Sequence, residues 1–480
     1  MPNKGFLYVT KATRRAITAG KGCGRIGSIE SPKIILIRVI TKAAILRKEG
    51  SVCGSLAFFS FGFCFRLLSQ FGACMIPVFL ADVKYLPKTL FCLTKLKACC
   101  DRAMSCNETQ FDVLESIEKH IAMLKPTLPE KALICIGEYP TKILLKGHLV
   151  EKLPDVEPLF VGKYSKEIVK WSQSGISSDM VLGLDSKVET HYWYNVLSFT
   201  SKNDAFVTRL KEKVVQKQYE SLILSSAWEG VGSALLPFLT STLRDSSMNA
   251  VALTILPSSV QPTDVHFNAL YSVGLCSSQD FSTIILVDRD LLEAFIGVNR
   301  NGSVMEGNIA TNYLLELMLT NYSFVQELTE LSRTFNVKLF TILHVTGASL
   351  KLYESLENML NSALSRPLLK FDLSSSSVLY VLVRMPEQLK ESLPKGKIEL
   401  TVANWFKGKA SLKSIYVSEP IYVDEMNDRI DILLIVGGFS VRNMVASMEK
   451  RVKDAKNSAV KKGFIKEDEW QNIVGSLVKD

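Results

Sequence analysis

Acidic residues are nearly missing from the first hundred positions of this 480-residue chain. Met1–Cys100 holds 16 Lys and Arg against three acids (Glu30, Glu49 and Asp82), a formal charge of +13. The other 380 residues carry 41 bases against 45 acids, so the net charge of +9 comes wholly from the first fifth. Cysteine is scarce where the charge is balanced: eight of ten precede residue 107, leaving Cys135 and Cys276. So few cysteines exclude a disulfide framework for the body and fit a reducing compartment. There is no CxxC pair, and His120, His148, His191, His266 and His344 are scattered without an HExxH, so no metal site is indicated. No Ser-His-Asp or Cys-His arrangement follows from spacing, which argues against a hydrolase of that type. No nucleic-acid module and no internal repeat are visible.

Long apolar runs are also lacking. Gly50–Phe65 and Leu67–Ala81 are uncharged, but Arg66 separates them and each is shorter than the roughly 20 residues of a membrane helix. Joined, they would place Arg66 near the bilayer centre, at a cost of about 3 kcal/mol. Three readings compete for this region: a membrane anchor through residues 50–81 with its basic flank in the cytoplasm, a transit peptide, or a stretch outside the working protein, with Met104 as the start. Acid depletion, abundant cysteine and no clean periodicity favour the last. Residues 1–103 are therefore treated as a basic, Cys-rich extension and kept out of the fold. A membrane partner is expected only if residues 50–81 act as an anchor.

What remains is globular in composition. Residues 104–131 contain a helix, Glu108–Leu124, with apolar positions every three or four residues. Then come apolar runs of strand length: Ala132–Ile136, ending on Gly137, Ser221–Ser225, Ala250–Leu256 and Thr283–Val287. Helical stretches Asp204–Tyr219, Ser233–Asp245 and His266–Val273 alternate with them. This pattern predicts an α/β doubly wound parallel sheet over about 130–305. A long helix is expected over 308–335, with a wide apolar face. A smaller α+β second domain is expected over 336–445, with a helix in Gly347–Ser365 and strands at Ser377–Val383, Lys397–Val402 and Asp431–Val436. Residues 446–480 read as a charged amphipathic tail. Within it, Phe464–Trp470 is either a partner-binding segment or, more commonly for such a run, a packed helix end. The aromatic run His191–Tyr194 reads as packed structure first and as a binding surface second.

The most informative segment is Ser225-Ser-Ala-Trp-Glu-Gly-Val-Gly-Ser-Ala-Leu-Leu-Pro237. A strand feeds a Gly-x-Gly-Ser turn that opens a helix. Gly230 and Gly232 allow close backbone approach, Ser233 can cap the helix, and free N–H groups at a helix start attract anions. Alone, this is equally a tight strand–helix turn.

With its neighbours, the segment resembles the signature loop of the tubulin/FtsZ superfamily, with Gly230, Gly232, Ser233 and Pro237 in register. Leu253–Pro257 resembles the strand and Pro that follow. Val265–Ser272 is similar to the Asn-Ala-rich helix of tubulins and the archaeal CetZ branch. Ile284–Leu292 resembles a strand ending in a polar turn, Ala310–Leu314 the start of the central helix, Ala363–Leu369 an FtsZ Ala-Ile-Ser-x-Pro-Leu-Leu block, and Ile432–Phe439 the last strand. The blocks run collinearly over about 132–440. The resemblance implies a GTP-binding domain over 132–307, a central helix over 308–335, and GTP or GDP with Mg2+ as ligand. Gly137, Gly230, Gly232, Ser233, Asn312 and Gln261 would form the site, with Asn312 reading guanine and Gln261 standing where FtsZ carries a ribose-contacting Glu. It also implies a cytoplasmic cytoskeletal or cell-division filament, with longitudinal self-association or a related filament protein as partner.

The departures weaken the chemistry. Family members hydrolyse GTP with a loop of the Asn-x-Asp-x-x-Asp/Glu type from the next subunit; the matching stretch keeps Asn336 but has Lys338 and Thr341 at the acidic positions. An ammonium accepts no proton from water and binds no cation, so hydrolysis is expected to be weak or lost. The first loop, Gly137-Glu-Tyr-Pro-Thr141, has one glycine, and Glu138 and Glu229 add negative charge near phosphates. A nucleotide-free pseudo-tubulin, acting as scaffold or filament regulator, therefore stands beside the GTP-binding reading. An unrelated doubly wound enzyme using the same turn for another phosphate ligand is the remaining alternative.

Overall fold

The computed structural model describes residues 131–163, 178–215, 220–279, 283–424 and 427–478. The expectations for residues 1–103 and for the helix Glu108–Leu124 lie outside the described residues.

Strands β1 (Lys131–Ile136), β2 (Val156–Lys163), β3 (Val181–Leu184), β4 (Glu220–Ser226), β5 (Ala250–Leu256) and β6 (Thr283–Asp288) are parallel, in the order β3-β2-β1-β4-β5-β6. The order reverses between β1 and β4, which opens a crevice at their C-terminal ends, where doubly wound sheets bind ligands. The helices of this half are α1 (Glu138–Gly147), α2 (Trp193–Thr200), α3 (Asp204–Val215), α4 (Gly230–Asp245) and α5 (Thr263–Ser278). A two-stranded hairpin, β7 (Gly297–Val298) and β8 (Val304–Met305), precedes α6 (Gly307–Thr320) and α7 (Phe324–Phe335).

The second half extends the same sheet. β9 (Leu339–Ser349) lies parallel to β6; beyond it come β13 (Arg429–Gly437), antiparallel, then β10 (Val378–Pro386) and β11 (Ser414–Val417), with β12 (Ile421–Val423) also beside β10. Helices α8 (Leu356–Leu364) and α9 (Lys395–Phe406) cover it, and α10 (Arg442–Lys461) and α11 (Glu467–Val478) end the chain.

Alternation along the strands sorts the cores. On β1, Ala132, Ile134 and Ile136 join the core under α4 and α5, while Leu133 and Cys135 join the core under α1, α6 and α7. The latter continues beneath Phe340, Tyr380 and Leu433 of the second half. The other face there packs on α8 and α9 through Leu343, Val381, Leu434, Met359 and Val402. Each such fully buried side chain contributes about 1.5–3 kcal/mol.

Three segments differ from the sequence reading, and a fourth settles a choice it left open. The stretch 308–335 forms two helices rather than one. Asn321 ends α6: its Oδ1 accepts from the Ser323 N–H at 3.0 Å, an Asx turn that competes with the helix. Lys131 caps the same end, donating to the carbonyls of Leu319 and Asn321 at 2.6 and 2.8 Å. Burial pushes its ammonium down to about 8. The helix that bridges the halves is α7, packed on β4, β5, β6 and β10. Second, Lys397–Val402 lies in α9, not in a strand: Ile398, Val402, Trp405 and Phe406 form a buried helical stripe that outweighs the β-branched residues. Third, β9 begins only three residues after α7 and runs to Ser349, into the stretch read as helical from Gly347. Fourth, the tail folds back on α5 as α10 and α11. Trp470 is buried and stacks on Phe267, with ring centroids 5.2 Å apart, which is the packed-end reading.

Candidate functional site

Gly137, Gly230, Gly232 and Ser233 lie together where β1 and β4 meet their following helices. Gly137 has φ +106°, a conformation left to glycine, and its N–H donates to the Val161 carbonyl at 2.8 Å. Glutamate Glu229 closes this space. Its Oε1 accepts from the Tyr139 N–H at 3.1 Å and its Oε2 accepts from Ser226 Oγ at 2.5 Å. Tyr139 lies in the first turn of α1, where an N–H has no partner within the helix. A Cβ built on Gly137 would overlap the Glu229 carboxyl. Burial pushes that carboxyl up to about 7, against the pull of its hydrogen bonds from Ser226 and Tyr139.

The rest of the cradle is also occupied by the chain. The Tyr139 and Trp228 rings meet edge to face, 4.8 Å between centroids, and the Arg289 guanidinium lies 5.0 and 5.2 Å from them. A Cβ on Gly230 would strike the backbone of Thr190 and Tyr192, so residues 190–192 run directly over the turn. Asn268 holds that crossing: its Nδ2 donates to the carbonyls of His191 and Trp228, and its Oδ1 accepts from the Trp193 N–H. Trp193 stacks on Tyr271 at 3.6 Å and Tyr194 on Phe464 at 4.0 Å, and His191 is hydrogen-bonded to Asp264. The aromatic run is thus packed structure.

The other candidates make contacts within the chain. Ser233 Oγ lies 2.7 Å from the Ala227 and Glu229 carbonyls and closes the turn. Gln261 accepts from the Ser258 N–H at 2.7 Å, within its own loop. Asn312, on α6, packs against Gly147 of α1 and donates to the carbonyls of Ile143 and Asn308. Asn336, Lys338 and Thr341 sit near the N-terminal ends of β6 and β9, away from the glycine turns. They form no loop. Asn336 is the left-handed cap of α7, a conformation Asn tolerates. Lys338 donates to the Ser277 carbonyl at 2.7 Å, and Thr341 lies inside β9, fully buried and bonded to the Leu286 carbonyl.

Sequence reading marked Glu229 as negative charge in the wrong place, but not that it meets Tyr139 and Trp228. It assigned no role to Asn268. The phosphates of a guanine nucleotide do not fit these residues as arranged: the Glu229 carboxyl lies against the first turn of α1 and backbone crosses the glycine turn. The Asn312 Nδ2 donates to carbonyls of α1 and α6, while its buried Oδ1 has no partner among the described residues.

No protein-family model and no curated protein matches the chain. Solved structures do. CetZ1 from Haloferax volcanii, a GDP-bound monomer, is 15% identical, with a TM-score of 0.55 over 68% of this chain and 99% of that one. CetZ2 from Haloferax volcanii, a GTPγS-bound protofilament, is 16% identical, with a TM-score of 0.53 over 69% and 99%. An empty FtsZ dimer from M. jannaschii is 12% identical, with a TM-score of 0.50 over 67% and 92%. The mixed, mostly parallel central sheet with flanking helices agrees with these matches. The chain has the fold of the tubulin/FtsZ superfamily.

Proposed function

We propose that this protein is a nucleotide-independent relative of the tubulin/FtsZ filament proteins. It works in the cytoplasm by self-association, or as a scaffold or regulator of a related filament, and hydrolyses no GTP. The observation that carries this reading is the Glu229 carboxyl, bonded to Tyr139 and Ser226 in the position an anion would take. Two further features support it. Lys338 and Thr341 supply no carboxylate to position water or a cation. The glycine turns and the Asn336–Lys338 corner sit at different ends of the sheet, so a head-to-tail contact would join them. One CetZ2 structure of this fold is a protofilament. Among the described residues no helix is long and apolar enough to cross a membrane.

The test is light scattering and sedimentation of the full chain with and without GTP and Mg2+, together with phosphate release. Assembly that is indifferent to nucleotide, with no release above the buffer rate, is the expected result. Assembly that requires GTP would instead support the GTP-binding reading of the same fold.

A further inference from the structure

Glu229 stands on the residue that opens α4, yet its carboxyl is received by the start of α1. The receiving groups are those that recognise a small oxyanion: an unpaired N–H in a helix's first turn, a hydroxyl from Ser226, and a glycine, Gly137, whose missing side chain lets the anion approach. The positive end of the α1 dipole faces the same point. A mobile anion would have to be held here by affinity. A carboxyl delivered by the chain is present at a high effective concentration and ties two helices that follow neighbouring strands. Tyr139, one residue into α1, then closes over the bond by packing on Trp228, the residue before Glu229.

We propose that the Glu229 carboxyl is an internal surrogate for a small bound oxyacid, which fills a cluster of hydrogen-bond donors formed by the α1 N-terminus and Ser226 and so holds both turns closed without any ligand. This deepens the nucleotide-free reading and rests on it. Its consequence is specific. Removing the carboxyl while leaving the turn uncovers a site for an oxyanion the size of formate or inorganic phosphate.

The experiment compares the full chain with Glu229→Ala and Glu229→Gln. Melting temperatures are read in sodium formate, in sodium phosphate and in sodium chloride of equal ionic strength. Glu229→Ala should melt several degrees lower than wild type, and formate or phosphate, but not chloride, should restore most of the loss in a saturable way. Glu229→Gln keeps an acceptor for Tyr139 and a partner for Ser226 and should melt near wild type; wild type should respond to none of the anions. The proposal is overturned if Glu229→Ala melts like wild type, if chloride restores it as well as formate does, or if wild type gains as much as the variant. Should Glu229→Ala be recovered only as aggregate, refolding decides. Soluble protein with formate and not with chloride supports the proposal, and failure in both contradicts it. Saturable binding of GTP to wild type would sink the nucleotide-free reading and this inference together. An anion-insensitive Glu229→Ala in a protein that ignores GTP sinks this inference alone.

Discussion

Asn312 donates its side-chain amide to the Ile143 carbonyl, 2.8 Å away across the contact between α6 and α1, and to the Asn308 carbonyl at 2.9 Å. With both amide hydrogens committed to carbonyls, the orientation of the side chain is fixed. The residue that the family resemblance assigns to guanine recognition is here a clip between two helices. Asn312→Ala should cost about 1 kcal/mol, the usual net worth of the side-chain hydrogen bonds it removes, and should leave the response to GTP unchanged. Urea unfolding of the two proteins checks this; equal midpoints would show that the clip is incidental.

A second buried network sits away from the glycine turns. Asp431 is fully buried and accepts from Tyr313 Oη at 3.0 and 2.8 Å, from the Gly347 N–H at 2.7 Å and from Arg384 Nε at 2.9 Å. Arg384 also pairs with Glu316 at 2.9 Å, and the Arg300 guanidinium lies 3.9 Å from Asp431. The network joins α6, β9, β10 and β13 at the irregularity between Ile430 and Ile432. Asp431→Ala removes the buried carboxylate that Arg384 Nε, Tyr313 and the Gly347 N–H share and should lower stability by about 3–5 kcal/mol. Equilibrium unfolding measures the loss, and a change within error would contradict the assignment.

Stability should also depend on pH through Glu229. Burial is the main cause that raises its carboxyl from 4.5 to about 7, and nearby Glu138 adds to the shift. The folded chain therefore holds this proton more tightly than the unfolded chain. The contribution is fully present below pH 4.5 and is lost as the pH rises through 7. The loss amounts to roughly 3 kcal/mol. Glu229→Gln cannot titrate, so its unfolding free energy should fall less over this interval than that of wild type. Parallel pH curves for the two proteins would contradict the buried carboxyl.

The returning C-terminus is a structural element. Trp470 and Ile473 are buried against α5, and a Cβ on Gly274 would strike Ile473. Trp470→Ala should cost about 3–5 kcal/mol. Thermal unfolding monitored in the far ultraviolet tests this, and an unchanged midpoint would mean that α11 is dispensable.

The strands β1, β4, β5 and β6 were legible because strands buried on both faces are continuous apolar runs, and each ends near a turn or helix start. β9 was not. Its opening residues fell in a stretch that resembled a catalytic loop, and that resemblance outweighed eleven residues rich in apolar and β-branched side chains. Lys397–Val402 failed for the opposite reason: a short run of β-branched residues hid a helical stripe that shows only when Trp405 and Phe406 are included. The glycines of the site were visible as a local pattern. The plug was not, because Tyr139 and Glu229 are 90 positions apart and their meeting is set by the pairing of β1 with β4. The pairing of Asp431 with Arg384 is likewise set only by the register of β10 on β13.

The most direct measurement of the central claim is a calorimetric titration of the purified full-length protein with GTP in the presence of Mg2+. With the Glu229 carboxyl in the anion position and residues 190–192 over Gly230, no saturable heat should appear. Saturable binding of GTP, favoured over ATP and weakened by Gly230→Val, would contradict the account, because it requires the carboxyl and the crossing segment to leave the cradle.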